Sequence, residues 1–461
     1  MSAESTTPVA GDGDSGQIRI TLTTRDASVA VPNVPLFVPL SLKRYGLSEV
    51  VNHLLATEKS IPFDFLINSK LLRESLHEYI THNGQSSEQT LAVEYTRSIL
   101  PPTFLASYAH LDWVSSVDVI SNSPAPVLSG CYDGIVRTWN LSGAVVSEFG
   151  GHTAPVKAVK WIDDRRLVSG GMDRSIRLWK VPVGDGNEAT FGEGDEPVAV
   201  ASSRIFTGHT STVEDLAVNV RTSRMLSAGA DGLVALWTTN YKEAPAASVP
   251  VSSREPSGKR RRKAALPSKG PISMLSSHTE AATGVIFDGN DPTVGYSASL
   301  DHTIKTWDLI TGALVDTRSA SYSLLTISQL PKLSLLVCGS SARHVTLHDP
   351  RAAESATSQT LHGHSNFVVS LSPSPESDYM FASASHDGTV RVWDVRAQSS
   401  LYVITRDSKS SPTDKGRMKV FDVHWSSNVG IVSGGEDKRV QVNRGTGLDT
   451  VKAAAANEEK K

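Results

Sequence analysis

Ser383-Ala384-Ser385-His386-Asp387-Gly388-Thr389-Val390-Arg391-Val392-Trp393 opens on serine, sets aspartate four residues on and closes on tryptophan six residues later. The same frame returns at Ser129/Asp133/Trp139, Ser169/Asp173/Trp179, Ser227/Asp231/Trp237 and Ser297/Asp301/Trp307. Two weaker copies keep the register: Ser433 and Asp437 lead to Asn443, and Cys338 and Ala342 lead to His348. Self-similarity at a fixed period means stacked structural repeats, and seven units are expected. Alternation in Val390-Arg391-Val392-Trp393 and Ile176-Arg177-Leu178-Trp179 marks half-buried strands, and the Asp-Gly and Asp-Arg steps before them mark tight hairpins.

Working outward, a histidine stands upstream of each intact copy: His110, His152, His209, His278 and His364. His, Ser, Asp and Trp in this order resemble the blade of a WD repeat, in which these groups bond one another across the strands. A buried aspartate needs such partners to offset its desolvation. Ser, His and Asp could also be taken for a catalytic triad. Five copies cannot all be nucleophilic sites, so they read as structural tetrads, and the histidines lack metal-ligand spacing. A WD unit takes about 40–45 residues, whereas Trp179 to Trp237 spans 58 and Trp237 to Trp307 spans 70. Insertions are therefore expected at about 183–203, 241–269 and 407–417, all between blades. After Asn443 the chain has no room for an outer strand, so residues 98–109 are expected to supply it and remove an exposed edge. The fifth and seventh units lack parts of the tetrad.

Residues 17–97 do not repeat. Ile18, Ile20 and Leu22 alternate, and Val29 and Val31 follow a turn at Arg25-Asp26, which reads as a hairpin. Ser48 is placed as N-cap of a helix carrying Val50, Val51, Leu54 and Leu55. Phe63–Ile67, Leu71-Leu72, a helical turn with Leu76 and Ile80, and Leu91–Tyr95 follow. The order is that of a ubiquitin-like β-grasp. The expected fold is thus mainly β: a 1–16 tail, an α+β ubiquitin-like domain over 17–97, a seven-bladed WD40 β-propeller over 98–448 and a charged tail over 449–461.

With 39% hydrophobic and 20% charged residues the chain has the composition of a soluble globular protein, and it holds no apolar run able to span a membrane. The N-terminus lacks the apolar core of a secretory signal, which points to the cytosol or nucleus. Cys131 and Cys338 sit far apart in or beside apolar runs and read as buried thiols. Lys259-Arg260-Arg261-Arg262-Lys263 lies in a Pro/Ser/Ala-rich stretch. It reads as a localisation signal, with a phosphate clamp on rRNA or a solvated loop as alternatives.

A ubiquitin-like domain joined directly to WD repeats resembles the Notchless-like architecture. Pro39–Leu55, Ile61–Ile67, Leu91–Arg97 and Asp112–Val117 are similar to the WD-repeat subunit of the PeBoW complex. That resemblance implies a nuclear, nucleolar and nucleoplasmic assembly factor for the large (60S) ribosomal subunit, acting without catalysis. It implies a propeller docked on a block-of-proliferation-type WD protein, an indirect link to pescadillo, and capture by the AAA ATPase midasin for release from the pre-60S particle. It implies no cofactor of the chain's own: the Mg²⁺ belongs to midasin's adhesion site, and Glu88 of Ser86-Ser87-Glu88 would supply its open ligand position. Glu74, Glu78 and Glu94 are the competing acids. A Notchless-type factor would carry eight blades, and a ubiquitin-pathway adaptor would carry an F-box-like helix ahead of the repeats.

Overall fold

The chain divides near residue 100 into two compact units in a computed structural model that describes residues 16–56, 60–84, 90–98, 101–120, 123, 126–182, 197–200, 203–247, 268–352, 357–397, 399–406 and 418–445. In the first unit the elements run β1 (Gln17–Thr23), β2 (Leu36–Pro39), α1 (Arg44–Leu55), β3 (Phe63–Ile67), β4 (Lys70–Leu71), α2 (Leu76–Asn83) and β5 (Leu91–Arg97). The sheet order is β2-β1-β5-β3-β4, with β1 and β5 parallel at its centre, which is the β-grasp. Ile18, Ile20 and Leu22 point to one face, where Leu47, Val51, Leu76 and Ile80 of the helices close over Phe63, Phe65, Val93 and Tyr95. At the turn between β3 and β4, Asn68 and Ser69 both adopt positive φ (52° and 62°). Asparagine suits that turn because its short side chain tolerates the left-handed region.

Two local expectations are corrected. The partner of β1 is Leu36–Pro39, not the Val29–Val31 stretch. Asp26 accepts from the Ser28 amide (3.0 Å) and starts a 3-10 turn over Ala27–Val29. The Tyr95 hydroxyl then donates to the Val29 carbonyl (2.7 Å) and accepts from the Val31 amide (2.9 Å). Pro32 and Pro35 have no N–H to give a ladder, so pairing resumes only beyond them. Ser48 is likewise no N-cap. It lies inside α1, where its Oγ accepts from the Phe63 amide (3.2 Å) and bonds the Ile61 carbonyl (3.3 Å). The helix buries Leu47 and Val51, four residues apart, and leaves Leu54 at the surface. Helix α2 does begin on a capping box, with Ser75 and Glu78 bonding each other's amides.

The second unit is a WD40 propeller of seven sheets among the described residues. Its inner strands are Val114–Val119, Val156–Asp163, Val213–Asn219, Ala282–Phe287, Leu324–Leu330, Val368–Pro373 and Val420–Ser426, numbered here as blades one to seven. Each packs on the next, and the seventh packs on the first. Blade seven holds Gly430–Gly435 and Arg439–Gly445 and takes its fourth strand from Pro102–Ala109, in the register Val440↔Tyr108. The chain therefore closes the ring with the strand that directly follows the β-grasp, and no unpaired edge is left on blade seven's third strand.

The two longer insertions do not fall between blades. Residues 183–203 lie between the third strand of blade two (Ser175–Lys180) and its outer strand (Arg204–Thr207); residues 241–269 lie between Leu233–Thr238 and Ser273–Ser276 of blade three. Tryptophan spacing locates excess length but not which loop after the tryptophan carries it. Each insertion returns a short strand to the blade before it. Val198–Val200 runs parallel to Val145–Gly150 of blade one, and Ser268–Lys269 runs parallel to Arg204–Thr207 of blade two.

Candidate functional site

In blades two, three, four and six the repeated polar residues form one chain of hydrogen bonds. The Trp179 indole donates to Ser169 Oγ (2.8 Å), Ser169 Oγ meets His152 Nε2 (2.7 Å), and His152 Nδ1 meets Asp173 (2.9 Å). The corresponding distances are 2.8, 2.6 and 3.1 Å for Trp237, Ser227, His209 and Asp231. They are 2.8, 2.7 and 2.8 Å for Trp307, Ser297, His278 and Asp301. For Trp393, Ser383, His364 and Asp387 they are 2.7, 2.7 and 2.9 Å. An indole N–H can only donate, so the serine proton goes to Nε2 and the histidine keeps its own on Nδ1 for the aspartate. The four serines have 0% exposure, so no substrate reaches their hydroxyls. Burial pushes the aspartates up, and bonds from histidine, backbone and, for three of them, the hydroxyls of Ser175, Thr303 and Thr389 outweigh it: Asp231 is held at about 2, and Asp173, Asp301 and Asp387 are also held below the ordinary range.

Blade one departs from that scheme. Trp139 and His110 both bond Ser129 (2.8 Å each), yet His110 Nδ1 faces the Tyr108 carbonyl (3.3 Å) instead of Asp133. Asp133 is taken by the Arg137 guanidinium (2.8 Å), which also binds Glu148 (2.7 Å). A charge-assisted pair outcompetes a bond to neutral imidazole. Burial, with Arg137 nearby, drives His110 down to about 4.

Blade seven contains a residue that the repeat reading passed over. Arg406 follows the outer strand Tyr402–Thr405 just as the histidines follow theirs. Its guanidinium binds Asp437 (2.9 Å) and the carbonyls of Ser433 (2.7 Å) and Arg439 (3.0 Å). The signal was present: Ser433 and Asp437 are intact with no histidine, so the buried acid needed another donor. In blade five the tryptophan position holds His348, bonded to Thr346 Oγ1 (3.0 Å), and the serine position holds the buried Cys338. Burial raises both thiols, Cys131 to about 11.

Around the axis the inner strands line a cavity of about 600 Å³. Its polar side chains join neighbouring blades. Asp118 accepts from the Trp161 amide (2.7 Å), Asp215 from Val285 (3.0 Å), Asp422 from Val117 (2.8 Å), and Ser372 from Trp425 (2.9 Å). Each bond runs from a side chain of one blade to the backbone of an adjacent blade. Burial raises Asp215 to about 6. Burial also opposes the Lys160 charge, but Asp118, Asp422 and Asp215 hold its pKa above the ordinary value. Among the described residues no cluster of His, Cys, Asp or Glu could hold a metal ion, and no helix is long and apolar enough to cross a membrane.

Glu88 and the basic run Lys259, Arg260, Arg261, Arg262 and Lys263 lie outside the described residues, as do residues 1–15 and 446–461. The three competing acids of the β-grasp are all engaged. Glu78 closes the α2 capping box (2.8 Å to the Ser75 amide), Glu74 meets His82 (2.9 Å), and Glu94 pairs with Arg25 (2.7 Å). Helix α2 ends at Gly84 with φ +60°, and β5 begins at Leu91.

Residues 18–80 match the NLE (NUC135) domain, and 102–140, 143–180, 201–238, 269–308 and 355–394 match the WD domain, G-beta repeat. The chain is 50% identical to the ribosome biogenesis protein YTM1 of Vanderwaltozyma polyspora over 453 residues, covering 94% of this chain and 99% of that one. It is also 50% identical to the YTM1 protein of Candida albicans, covering 94% and 98%. Among solved structures it is similar to the WD40 beta propeller domain of Doa1, with a TM-score of 0.57 and 19% identity over 75% of this chain and 97% of that one. The last likeness bears on the fold alone.

Proposed function

The chain belongs to the family of the ribosome biogenesis protein YTM1, and on that premise we propose that it is a non-enzymatic assembly factor of the 60S subunit with two working surfaces. It acts in pre-rRNA processing and maturation in the nucleolus and nucleoplasm. The propeller docks on the propeller of a block-of-proliferation-type WD protein, which links it to pescadillo. The β-grasp, ubiquitin-like in its sheet order, is the handle by which midasin pulls the assembly from the pre-60S particle. The observation that carries this reading is the pairing of an NLE domain with WD repeats in one chain that is 50% identical to a YTM1 protein over 94% of its length. Seven sheets among the described residues favour it over an eight-bladed Notchless-type factor.

Glu88 is the ligand offered to midasin's adhesion-site Mg²⁺. A hard cation with one open position takes a carboxylate oxygen, and that carboxylate must be free to leave its own domain. Glu74, Glu78 and Glu94 are each held by a partner at 2.9 Å or less, which supports assigning the role to Glu88. The basic run 259–263 serves nuclear import.

The test is a pull-down of midasin's adhesion-site domain by the full chain, with Mg²⁺, with EDTA, and with Glu88→Ala. Capture lost in the EDTA and mutant lanes alike supports the handle; capture indifferent to both removes it while leaving the propeller scaffold. In parallel, a fluorescent fusion with alanine at 259–263 should lose nuclear enrichment, and unchanged import would reassign that run.

A further inference from the structure

On one side of the ring each blade shows two turns: one joins its first and second strands, the other leaves its third. In blade two Arg166 pairs with Lys180 across the sheet, and the Arg165 carbonyl accepts from the Val181 amide (2.8 Å). In blade three Arg224 pairs with Thr238, and the Ser223 carbonyl accepts from the Thr239 amide (2.9 Å). These bonds are made by backbone alone, so the fold asks for no charge at the turns. Blade one leaves its third strand through residues 140–143 without a charged side chain.

Yet blades two and three gather cations there. Arg165, Lys180, Arg221 and Lys242 are exposed and Arg224 is half-buried, and none has an ion pair among the described residues. Arg204, exposed at the start of blade two's outer strand, lies over the Tyr241 ring (5.2 Å) and is likewise without an acid among the described residues. The acids of the same turns are fewer. Asp163 is bound by Arg166 (2.7 Å) and Glu243 accepts from Asn240, which leaves Asp164. Blades five and six provide the contrast, because their cations on this side are neutralised close by. Lys332 pairs with Asp378 (2.9 Å), Arg351 with Asp349 (3.1 Å) and Arg396 with Asp394 (2.7 Å). Blade four contributes only acids to its turns: Asp288, Asp291 and Asp308.

The kind of charge and its surroundings narrow the partner. Like charges held together repel one another, and a polyanion relieves that repulsion. Four of the six unpaired cations are arginines, whose planar fork matches the oxygens of a phosphate. Tyr241 is half-buried, packed against Phe206 (5.4 Å) and covered by Arg204, so the turns offer no row of open rings on which unpaired bases could stack. Val220 is the one large apolar side chain exposed on these turns, which is too little for the apolar centre of a protein interface. Duplex RNA, held through its backbone and not through its bases, suits such a surface.

We propose that the turns of blades two and three form an RNA-binding face that takes the phosphate backbone of a duplex irrespective of sequence. The face lies at the end of the blades opposite the Asp173-Arg174 and Asp231-Gly232 hairpins. It is independent of the metal-dependent handle, of the partner propeller and of the basic run 259–263.

Fluorescence anisotropy of the full chain with a labelled RNA duplex of about 16 base pairs, the span of two successive minor grooves, tests it. Arg165→Glu with Arg221→Glu should weaken binding about 10-fold or more and lower the slope of log affinity against log salt by about two. Lys332→Glu with Arg351→Glu makes the same change in net charge at cations that are already paired, and should alter binding less than about 2-fold. The effect of the first pair should persist when 259–263 is replaced by alanine, and thermal midpoints should stay at the parent value throughout. Equal losses from the two pairs, or loss of the effect in the alanine background, would overturn the proposal. So would tighter binding of oligouridine than of the duplex, or displacement of the duplex by polyglutamate as readily as by unlabelled RNA.

Discussion

Arg406 shows how one side chain can replace a repeated one. Histidine in the other blades is a neutral relay between serine and aspartate, whereas Arg406 brings a charge, and its side chain is only 2% exposed. Burial disfavours that charge and holds the guanidinium below its ordinary range, and Asp437 offsets part of the cost. Two backbone carbonyls take further N–H groups, while Nε is buried without a partner among the described residues. Removing one partner of a buried pair leaves the other charge stranded, at a cost of about 3–5 kcal/mol. Arg406→Leu should therefore destabilise by about that much in urea unfolding, and Arg406→Leu with Asp437→Asn should recover part of it. A single variant within about 0.5 kcal/mol of the parent would show that blade seven does not depend on this pair.

The closing strand Pro102–Ala109 is the element on which the ring depends most. It is last in space and first in sequence, so its pairing with Arg439–Gly445 must bridge the whole propeller before it forms. Its faces differ sharply. Tyr108 is 4% exposed and stacks on Trp139 at 5.5 Å, whereas Phe104 is 62% exposed. Tyr108→Ala should cost about 3–5 kcal/mol, as for other buried aromatics, and Phe104→Ala should be within about 0.5 kcal/mol of the parent. Equal effects from the two would mean that the strand is not docked on blade one through Tyr108. Among the helices, the reading of α1 failed at Ser48 for a related reason. A serine near a helix start is a local capping signal, but here Phe63 and Ile61, distant in sequence, bind it from β3 and the turn before it.

For the whole molecule, the tetrads set the response to acid. The aspartates titrate at about 3.8 when free and lower in the fold. Their contribution is therefore complete above that value and is lost as pH falls below about 4. The buried histidines act in a higher window. His110, His278 and His364 are held below their ordinary 6.5 by burial, so the unfolded chain takes up protons from that pH downward while the folded chain does not. Thermal midpoints should decline gently from about pH 6.5 and steeply below about pH 4. In Asp387→Asn the lower limb should flatten, and a midpoint constant from pH 7 to pH 5 would contradict the histidine part of the account.

By itself the sequence determined the number of blades, the polar groups of four tetrads and the β-grasp, because each rests on residue types recurring at fixed spacing or on local alternation; the family came from the resemblance of Pro39–Leu55, Ile61–Ile67, Leu91–Arg97 and Asp112–Val117. Serine, aspartate and tryptophan ten residues apart meet across adjacent strands wherever such hairpins form. Only the tertiary structure decided that Asp133 turns to Arg137, that Arg406 stands in for a histidine, that two insertions sit inside blades, and that unpaired cations of blades two and three gather on one face. Those outcomes depend on which distant groups compete for a bond or share a surface. Spacing along the chain carries no record of that competition, since closing the ring is what first brings those groups together.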